Sequence, residues 1–571
     1  IYDSFWVAEV KIYFSSLKFP SVKEQKWRIH LRRLRPRNEF EVFSWAPIDR
    51  NNPSFLGQGG IIIIPHKIKS AKRINFLPYF VLSQNGYRKN LKYLTDRIKF
   101  SNMGITIKWN IFSDLICDFT INPDYAQIET DAPQIDVNNP YALYYLEKRP
   151  FFMEGKELLE TPLNLIYTRS ILSPIYAFKI TGKFSEKEIL FLSAADKYTS
   201  YIIPSEDKSW VVFMNNLSFL NILKIKKEII NKESYIGLLL AHREVSDTTK
   251  RFQSFNRLFG FELKSRFYTH YYINYEFGYS NVKEPRESIV CEEFNGENLN
   301  GFSHFFNAKI GFKYFNSFLK YVNISPTFRS DFGYITKNNF RSITKGAGFN
   351  LYPNKLGITS TYLIFIFSRE ENFRKIEKRR SLGPRIEFHF KGQNIFFIEY
   401  YSIPRYLYRG KNFDNLFEFS VVNINSYFKK ISWKLRNIFR RTINYSTLTP
   451  AYSYSFIFSS SINLIKNLQV EWSVERYYLY EKPWKFMIYD ETSIVNKIIY
   501  QFMPSLRIRN IFQFYTGTKN LGIFPLFSYE PNPFTVFYIG ANVNTMKLDK
   551  PFGIKGHNHQ IFLKFQYLFK I

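Results

Sequence analysis

From residue 104 onward, apolar and polar residues alternate with a period of two in one stretch after another. Ile105, Ile107, Trp109 and Ile111 alternate with Thr106, Lys108 and Asn110; after Phe112-Ser113-Asp114, Leu115, Cys117, Phe119 and Ile121 alternate with Asp118, Thr120 and Asn122. Residues two apart in an extended chain share a face, so each stretch predicts a strand with one apolar and one polar side. Short polar breaks between stretches predict hairpins. The pattern returns at Tyr176, Phe178 and Ile180 against Lys179, Thr181 and Lys183, with a turn over 185–188, and at Ile386, Phe388 and Phe390 against Glu387, His389 and Lys391, with a turn over 392–394. Tyr452, Tyr454, Phe456, Phe458, Ile462 and Leu464 form a long apolar row, answered after Lys466-Asn467 by Leu468, Val470, Trp472 and Val474. The chain closes on Ile561, Leu563, Phe565, Tyr567, Phe569 and Ile571, with Lys564, Gln566 and Lys570 on the reverse.

A soluble sandwich also alternates. Two features favour a membrane barrel: period two persists over about ten residues, the length a tilted spanning strand requires, and Tyr, Phe and Trp gather near strand ends as interfacial girdles do. An apolar last strand and connections of unequal length, such as the Glu- and Asn-rich 280–300, agree with that reading. At about 20 residues per strand and connection, 104–571 accommodates roughly 16 to 24 strands. The expected fold is all-β, a large antiparallel transmembrane β-barrel with a residual N-terminal β-sandwich fragment. The alternative is a soluble secreted β-sandwich binding protein.

Composition supports strands that are apolar on one side only. Aromatic residues make up 19% of the 571 residues, with 61 Phe and 41 Tyr, while the hydrophobic total is 45% and the mean hydropathy is −0.25. The densest aliphatic clusters, Ile61 to Ile64 and Leu238 to Ala241, fall far short of the ~20 apolar residues of a spanning helix. A net charge of +31 raises the question of nucleic acid, but the basic residues are spread through the strands, as expected of a wet lumen, of loops and of headgroup contacts, so no nucleic-acid partner is expected. The basic cluster at Arg374-Lys375 and Lys378-Arg379-Arg380 reads as a rim loop.

The N-terminal 1–55 differs. Strands are expected at 6–12 and 26–33, with turns at 15–20 and 43–53, too few for an independent sandwich. The expected organisation is a sandwich remnant at 1–55, a connecting segment and the start of the barrel at 56–103, and the barrel at 104–571 with a charged lumen segment at 122–155. The chain starts at Ile1 without Met or an apolar leader, consistent with a removed signal peptide or a fragment. Cys117 falls on an apolar strand phase and reads as an inert thiol rather than a partner of Cys291.

The segment 122–155 departs from the strand pattern. It carries Asn122-Pro123-Asp124-Tyr125-Ala126-Gln127-Ile128-Glu129-Thr130-Asp131, a spacer, and Glu147-Lys148-Arg149-Pro150-Phe151-Phe152-Met153-Glu154-Gly155. These two motifs, in this order and spacing, resemble the signature of a family of Gram-negative outer-membrane proteins of uncharacterised function that pair a family 9 type carbohydrate-binding module with a large β-barrel. Weaker similarity covers about residues 5 to 200. Where the family tends to carry a Glu, aromatics and a Pro before Glu-Lys-Arg, this chain has Ala142, Tyr144, Tyr145 and Leu146. The resemblance implies an outer-membrane location, the lipid bilayer as a partner, and carbohydrate or other envelope proteins as further partners, with the module itself largely missing.

Asp124, Gln127, Glu129, Asp131, Asp136, Glu147, Lys148, Arg149, Glu154 and Arg169 are the candidate site residues. Inside a barrel they would form an ion-pair network that pins an inward-folded loop to the wall. Two other roles fit the residue types: a luminal ligand or cation site, for which Ca²⁺ is chemically suitable, and a hydrolase using Glu129 and Glu147 as acid and base. No cofactor or metal is expected, and no nucleophile motif, phosphate loop or metal-spaced histidine set stands out; His557-Asn558-His559 reads as a turn. The expected role is binding or passage of a ligand, or a structural part in the envelope.

Overall fold

The computed structural model describes residues 7–12, 14, 19, 22–36, 40–48, 56–68, 73–89, 93–112, 114–123, 134–135, 137–184, 186–231, 233–246, 252–268, 270–287, 291–392, 394–426, 428, 430–517, 519–532, 534–547 and 554–570. Twenty-four antiparallel strands close into one barrel. Its first strand, Arg73–Lys89, pairs on one side with Tyr93–Phe112 and on the other with Ile554–Gln566 and the short continuation Phe569–Lys570. Closure leaves no free edge whose N–H and C=O groups would face hydrocarbon.

In a closed wall, alternate residues point in or out. Lys179 identifies the inner phase, since its ammonium reaches the carbonyls of Phe151 and Glu154 in a segment folded inside the barrel. The expected apolar rows lie on the opposite, outer phase. Phe259 is 40% exposed, Phe365 54% and Phe565 46%, which excludes two stacked sheets with their aromatic rows pressed together. Aromatics gather into patches there: Phe439, Tyr454, Tyr478, Tyr480 and Trp484 form a chain of rings with successive centroids 4.7 to 6.2 Å apart.

Connections at the rim holding the wall's two ends are short, two residues at 466–467 and six at 229–234. The long connections 122–173, 284–297 and 325–339 all leave from the other rim, as does the hairpin Thr199–Pro204 with Ser209–Met214. A barrel of this strand number would enclose a wide bore. Here 137–173 and 325–339 turn inward and fill part of it. Phe152, Leu158, Leu159, Leu165, Phe328, Phe332 and Ile335 pack on Leu190, Leu192, Leu220, Ile222, Leu239 and Leu258 of the inner wall in one apolar cluster.

Ahead of the wall, Gln25–Ile29 pairs with Gly60–Ile64 and Arg32–Pro36 with Phe40–Ser44. The rings of Phe14, Phe19 and Trp27 pack together beside them. The strand expected at 6–12 does not form: residues 7–12 make no ladder, and residue 6 lies outside the described residues. The expected strand at 26–33 is split between two sheets, with a break at His30 and Leu31.

Candidate functional site

Leu115–Ile121 is only seven residues long, so the chain leaves the wall part of the way across. Asn122 takes a left-handed conformation (φ 48°) and its N–H binds the Ile175 carbonyl, which turns the backbone out of the sheet. Asp124, Gln127, Glu129, Asp131 and Asp136 lie outside the described residues. Where description resumes, Asn138 is docked on the far side of the barrel. Its amide nitrogen donates to the Ile443 carbonyl at 2.9 Å and the Tyr477 hydroxyl at 3.3 Å, and its oxygen accepts the Tyr445 N–H at 2.8 Å.

From Asn138 the chain crosses the lumen. The Pro140 carbonyl accepts the Ser209 N–H (3.0 Å), the Ala142 N–H donates to the Ser209 hydroxyl (2.8 Å), and the Tyr334 hydroxyl donates to the Ala142 carbonyl. Burial, with Glu370 nearby, pushes the Tyr141 hydroxyl far above its ordinary range, so it stays neutral. Tyr144, Tyr167 and Tyr334 then form a three-ring cluster with centroids 4.9 to 5.5 Å apart. The Tyr167 hydroxyl donates to the Tyr145 carbonyl and accepts the Tyr145 N–H, and burial raises it to about 12.

Glu147 and Arg149 secure the near end of this strap. Both are buried, and they meet in a two-point pair, Nε to Oε1 at 2.8 Å and Nη2 to Oε2 at 2.7 Å. The Thr168 hydroxyl (2.6 Å) and the Lys148 and Arg149 N–H groups also donate to Glu147. Arg149 also donates to the Ile171 and Thr168 carbonyls at 2.6 and 2.7 Å. Burial would raise the Glu147 carboxyl, but the hydrogen bonds and charge of Arg149, with Thr168, bring it down to about 2. Arg169 approaches Glu147 at 3.9 Å and donates chiefly to the Leu146 carbonyl, while the Lys148 side chain is exposed. Pro150 then opens a single helical turn, Pro150–Met153, that buries Phe152, and Gly155 (φ 75°) turns the chain into Lys156–Leu159.

Buried wall charges hold the folded strap. Lys179 pairs with Asp118 at 3.3 Å in addition to its two carbonyls, and Lys108 pairs with Glu154. Lys224 pairs with Glu262 and donates to the Glu160 carbonyl (3.2 Å), and Glu276 accepts the Leu163 N–H (3.3 Å). The second insert is stitched to the first: Tyr167 N–H to Phe332 O at 2.6 Å, Tyr334 N–H to Asn164 O at 2.9 Å, and Ser330 Oγ to Leu165 O at 2.9 Å. Arg329 binds Asp331 and Glu284, each at 2.9 Å, and Arg243 donates to the Asp331 carbonyl at 3.0 Å. Glycine permits the closest approaches, for a Cβ at Gly301 would stand 2.3 Å from the Phe328 backbone.

Between the inserts and the wall remains a cleft of about 440 Å³, lined by Asn164, Lys320, Tyr334, Lys337, Ser342 and Thr344 among others. Among the described residues no three potential metal ligands converge. A carboxyl held near 2 carries no proton to give a leaving group at neutral pH, and Glu147 is fully engaged by donors. Its geometry is that of a clamp.

Sequence reasoning named Glu147, Arg149, Glu154 and Arg169 but passed over Asn138, Lys179, Glu276 and the whole second insert. Apolar residues on consecutive positions, Leu238-Leu239-Leu240, signal a strand covered on both faces and so point to an occupied lumen.

A family model described as "Domain of unknown function (DUF5916)" matches residues 70–190, which hold the first four wall strands, the start of the fifth and the strap. No curated protein matches. Solved structures similar to this chain include a mutant of the ferric enterobactin receptor from Pseudomonas aeruginosa in complex with enterobactin (8% identity, 90% of this chain and 84% of that one, TM-score 0.42). The copper transporter OprC (7%, 91% and 84%, TM-score 0.47) and the alcaligin outer membrane receptor FauA from Bordetella pertussis (7%, 89% and 78%, TM-score 0.39) are similar in the same way. The barrel assignment rests on the strand pairing itself.

Proposed function

We propose that this protein is an outer-membrane barrel that binds or passes a ligand through a lumen narrowed by the strap that crosses it. The observation that carries this reading is that one segment is fastened to both sides of the bore, by Asn138 at Ile443 and Tyr445 and by the Glu147–Arg149 clamp with Lys179 at the other end. The outer aromatic rows support a bilayer around the wall. The far fastening rests on ordinary neutral hydrogen bonds, each worth about 1 kcal/mol, whereas the near one rests on buried charge; the Asn138 end is therefore the one to release. Tyr144, 39% exposed, offers a ring face beside backbone polar groups, a surface suited to a carbohydrate, and the small sheets ahead of the wall are read as the remnant of a carbohydrate-binding-like sandwich. Other envelope proteins remain candidate partners at the rim.

The test is conductance of the purified protein in a planar bilayer, beside the Asn138→Ala variant, with heat-modifiable gel mobility as the check on folding. The variant should conduct more than the wild type and fluctuate more between levels; maltooligosaccharides should reduce the variant's current. Equal, wide conductance in both would overturn the gate. A water-soluble monomer without detergent would overturn the membrane assignment.

A further inference from the structure

The basic cluster noted in the sequence at 374–380 separates across the wall. Lys378 turns inward to Glu206 and Asp207 at 2.6 and 3.0 Å, whereas Arg380 faces outward. It is joined there by Arg369 and Arg405, directly opposite it on the two neighbouring strands. Arg341, one strand further, lies opposite Glu371 with its guanidinium over the Phe373 ring. All sit at the rim away from the wall's ends, beside the exposed hairpin residues Arg374 and Lys375. Two carboxylates stand among the four arginines. Glu377 is shared between Arg369 (3.0 Å) and Arg380 (2.8 Å), and Glu371 lies 3.7 Å from Arg369. Glu377 is nearly covered, yet Arg369 and Arg380 stay about half exposed (47% and 49%), so N–H donors remain directed outward.

Two residues further along each strand the surface becomes apolar: Phe367 and Phe365 follow Arg369, and Leu382 follows Arg380, with Phe365 and Leu382 more than half exposed and Tyr400 beside them. A surplus of guanidinium directly above an apolar wall is complementary to an amphiphile with an anionic head and acyl chains. Guanidinium matches phosphate oxygens two at a time. We infer that the outward patch of Arg341, Arg369, Arg380 and Arg405 binds the phosphate of a membrane lipid in the leaflet at that rim. This inference rests on the membrane assignment above.

The test uses native mass spectrometry of the full chain in dodecyl maltoside with bisphosphorylated lipid A, the same lipid without phosphates, and inorganic phosphate as separate probes. The wild type should retain bisphosphorylated lipid A over the phosphate-free form, and Arg369→Ala/Arg380→Ala should weaken retention by about a hundredfold, roughly tenfold per charge-assisted contact. The Arg369→Lys/Arg380→Lys variant should recover part of it. Equal retention by wild type and double alanine variant, at unchanged heat-modifiable mobility, would overturn the site. Displacement of the lipid by inorganic phosphate at equal concentration would overturn a lipid as its source. Membrane fractionation of the same proteins separates the two claims: equal lipid retention by wild type and double alanine variant, both still recovered with membranes, sinks this site alone, and recovery of the wild type in the soluble fraction sinks the membrane reading.

Discussion

The inner faces of two parts of the same wall are built on different principles. Between Lys187 and Leu258 the inner positions include Leu190, Leu192, Ala194, Leu220, Ile222, Leu239, Ala241 and Leu258, together with the paired charges Lys224 and Arg243, all nearly or fully buried against the strap and second insert. Between Phe417 and Glu530, away from the Asn138 docking site, several inner positions carry ion pairs between neighbouring strands: Glu418 with Arg440 at 2.8 Å, Glu471 with Lys497 at 3.3 Å, Arg507 with Glu530 at 2.8 Å, each partner roughly a quarter to two-fifths exposed, with a small buried cluster of Leu526, Tyr538 and Phe562 beside the last of them. The difference shows that a luminal face need not be polar. Where chain folds back into the bore, the lumen is a protein core and follows core rules, including the requirement that each buried charge has a partner. Where nothing covers the wall, charge faces water.

Substitutions on the two sides should therefore differ sharply. Removal of Arg149 leaves the Glu147 carboxylate buried without its partner, at a cost of about 3 to 5 kcal/mol. The Arg149→Ala variant should lose the strap, seen as a large drop in the temperature at which heat-modifiable mobility is lost. A Gly301→Val change forces a side chain into the Phe328 backbone and should cost about 1 to 3 kcal/mol, with new protease cleavage within 325–339 while the wall stays intact. An unchanged cleavage pattern would mean that the insert is not held against this strand.

Acidity should act on the covered side with two signs. The Glu147 carboxyl lies at about 2 when folded against an ordinary 4.5, so its stabilisation is complete above 4.5 and is lost as pH falls toward 2. Glu284 goes the other way. Burial raises it to about 7 against the pull of Arg329, with Glu293, Glu297 and Asp331 adding to the rise, so its contribution is complete below 4.5 and is lost as pH rises through 7. Hydrogen exchange between pH 8 and 5 should show slower exchange in 284–297 at the acid end, after correction for intrinsic rates, and no change across 147–149. Glu284→Gln should flatten the first response. The smallest effect belongs to the bare wall: Arg440→Ala breaks a partly exposed pair and should shift stability by about 1 kcal/mol or less. A loss as large as that of Arg149→Ala would mean this wall is covered too.

Much of the wall was legible in the sequence. Ile386, Phe388 and Phe390 against Glu387 and His389 do face opposite ways, and the final strand closes the barrel on residues 75–87. The wall's true start, at Arg73, was harder to see, because Leu77, Tyr79 and Val81 are buried on the inner phase and blur the alternation. Half of the strap's attachment was legible as the Glu147 to Gly155 motif. The rest depends on partners up to 339 residues away, such as Tyr477 for Asn138, which no local pattern announces.

The order of residues determined an alternating ribbon, its aromatic outer side and the polar segment that interrupts it, because a period of two is a local property of extended chain. Tertiary structure alone decided that the ribbon closes at 24 strands, that its bore is crossed rather than open, and which half of the inner face becomes a core. Those outcomes depend on which distant backbone and side-chain groups meet once the two inserts turn inward, and their free energy comes from burial that exists only after closure.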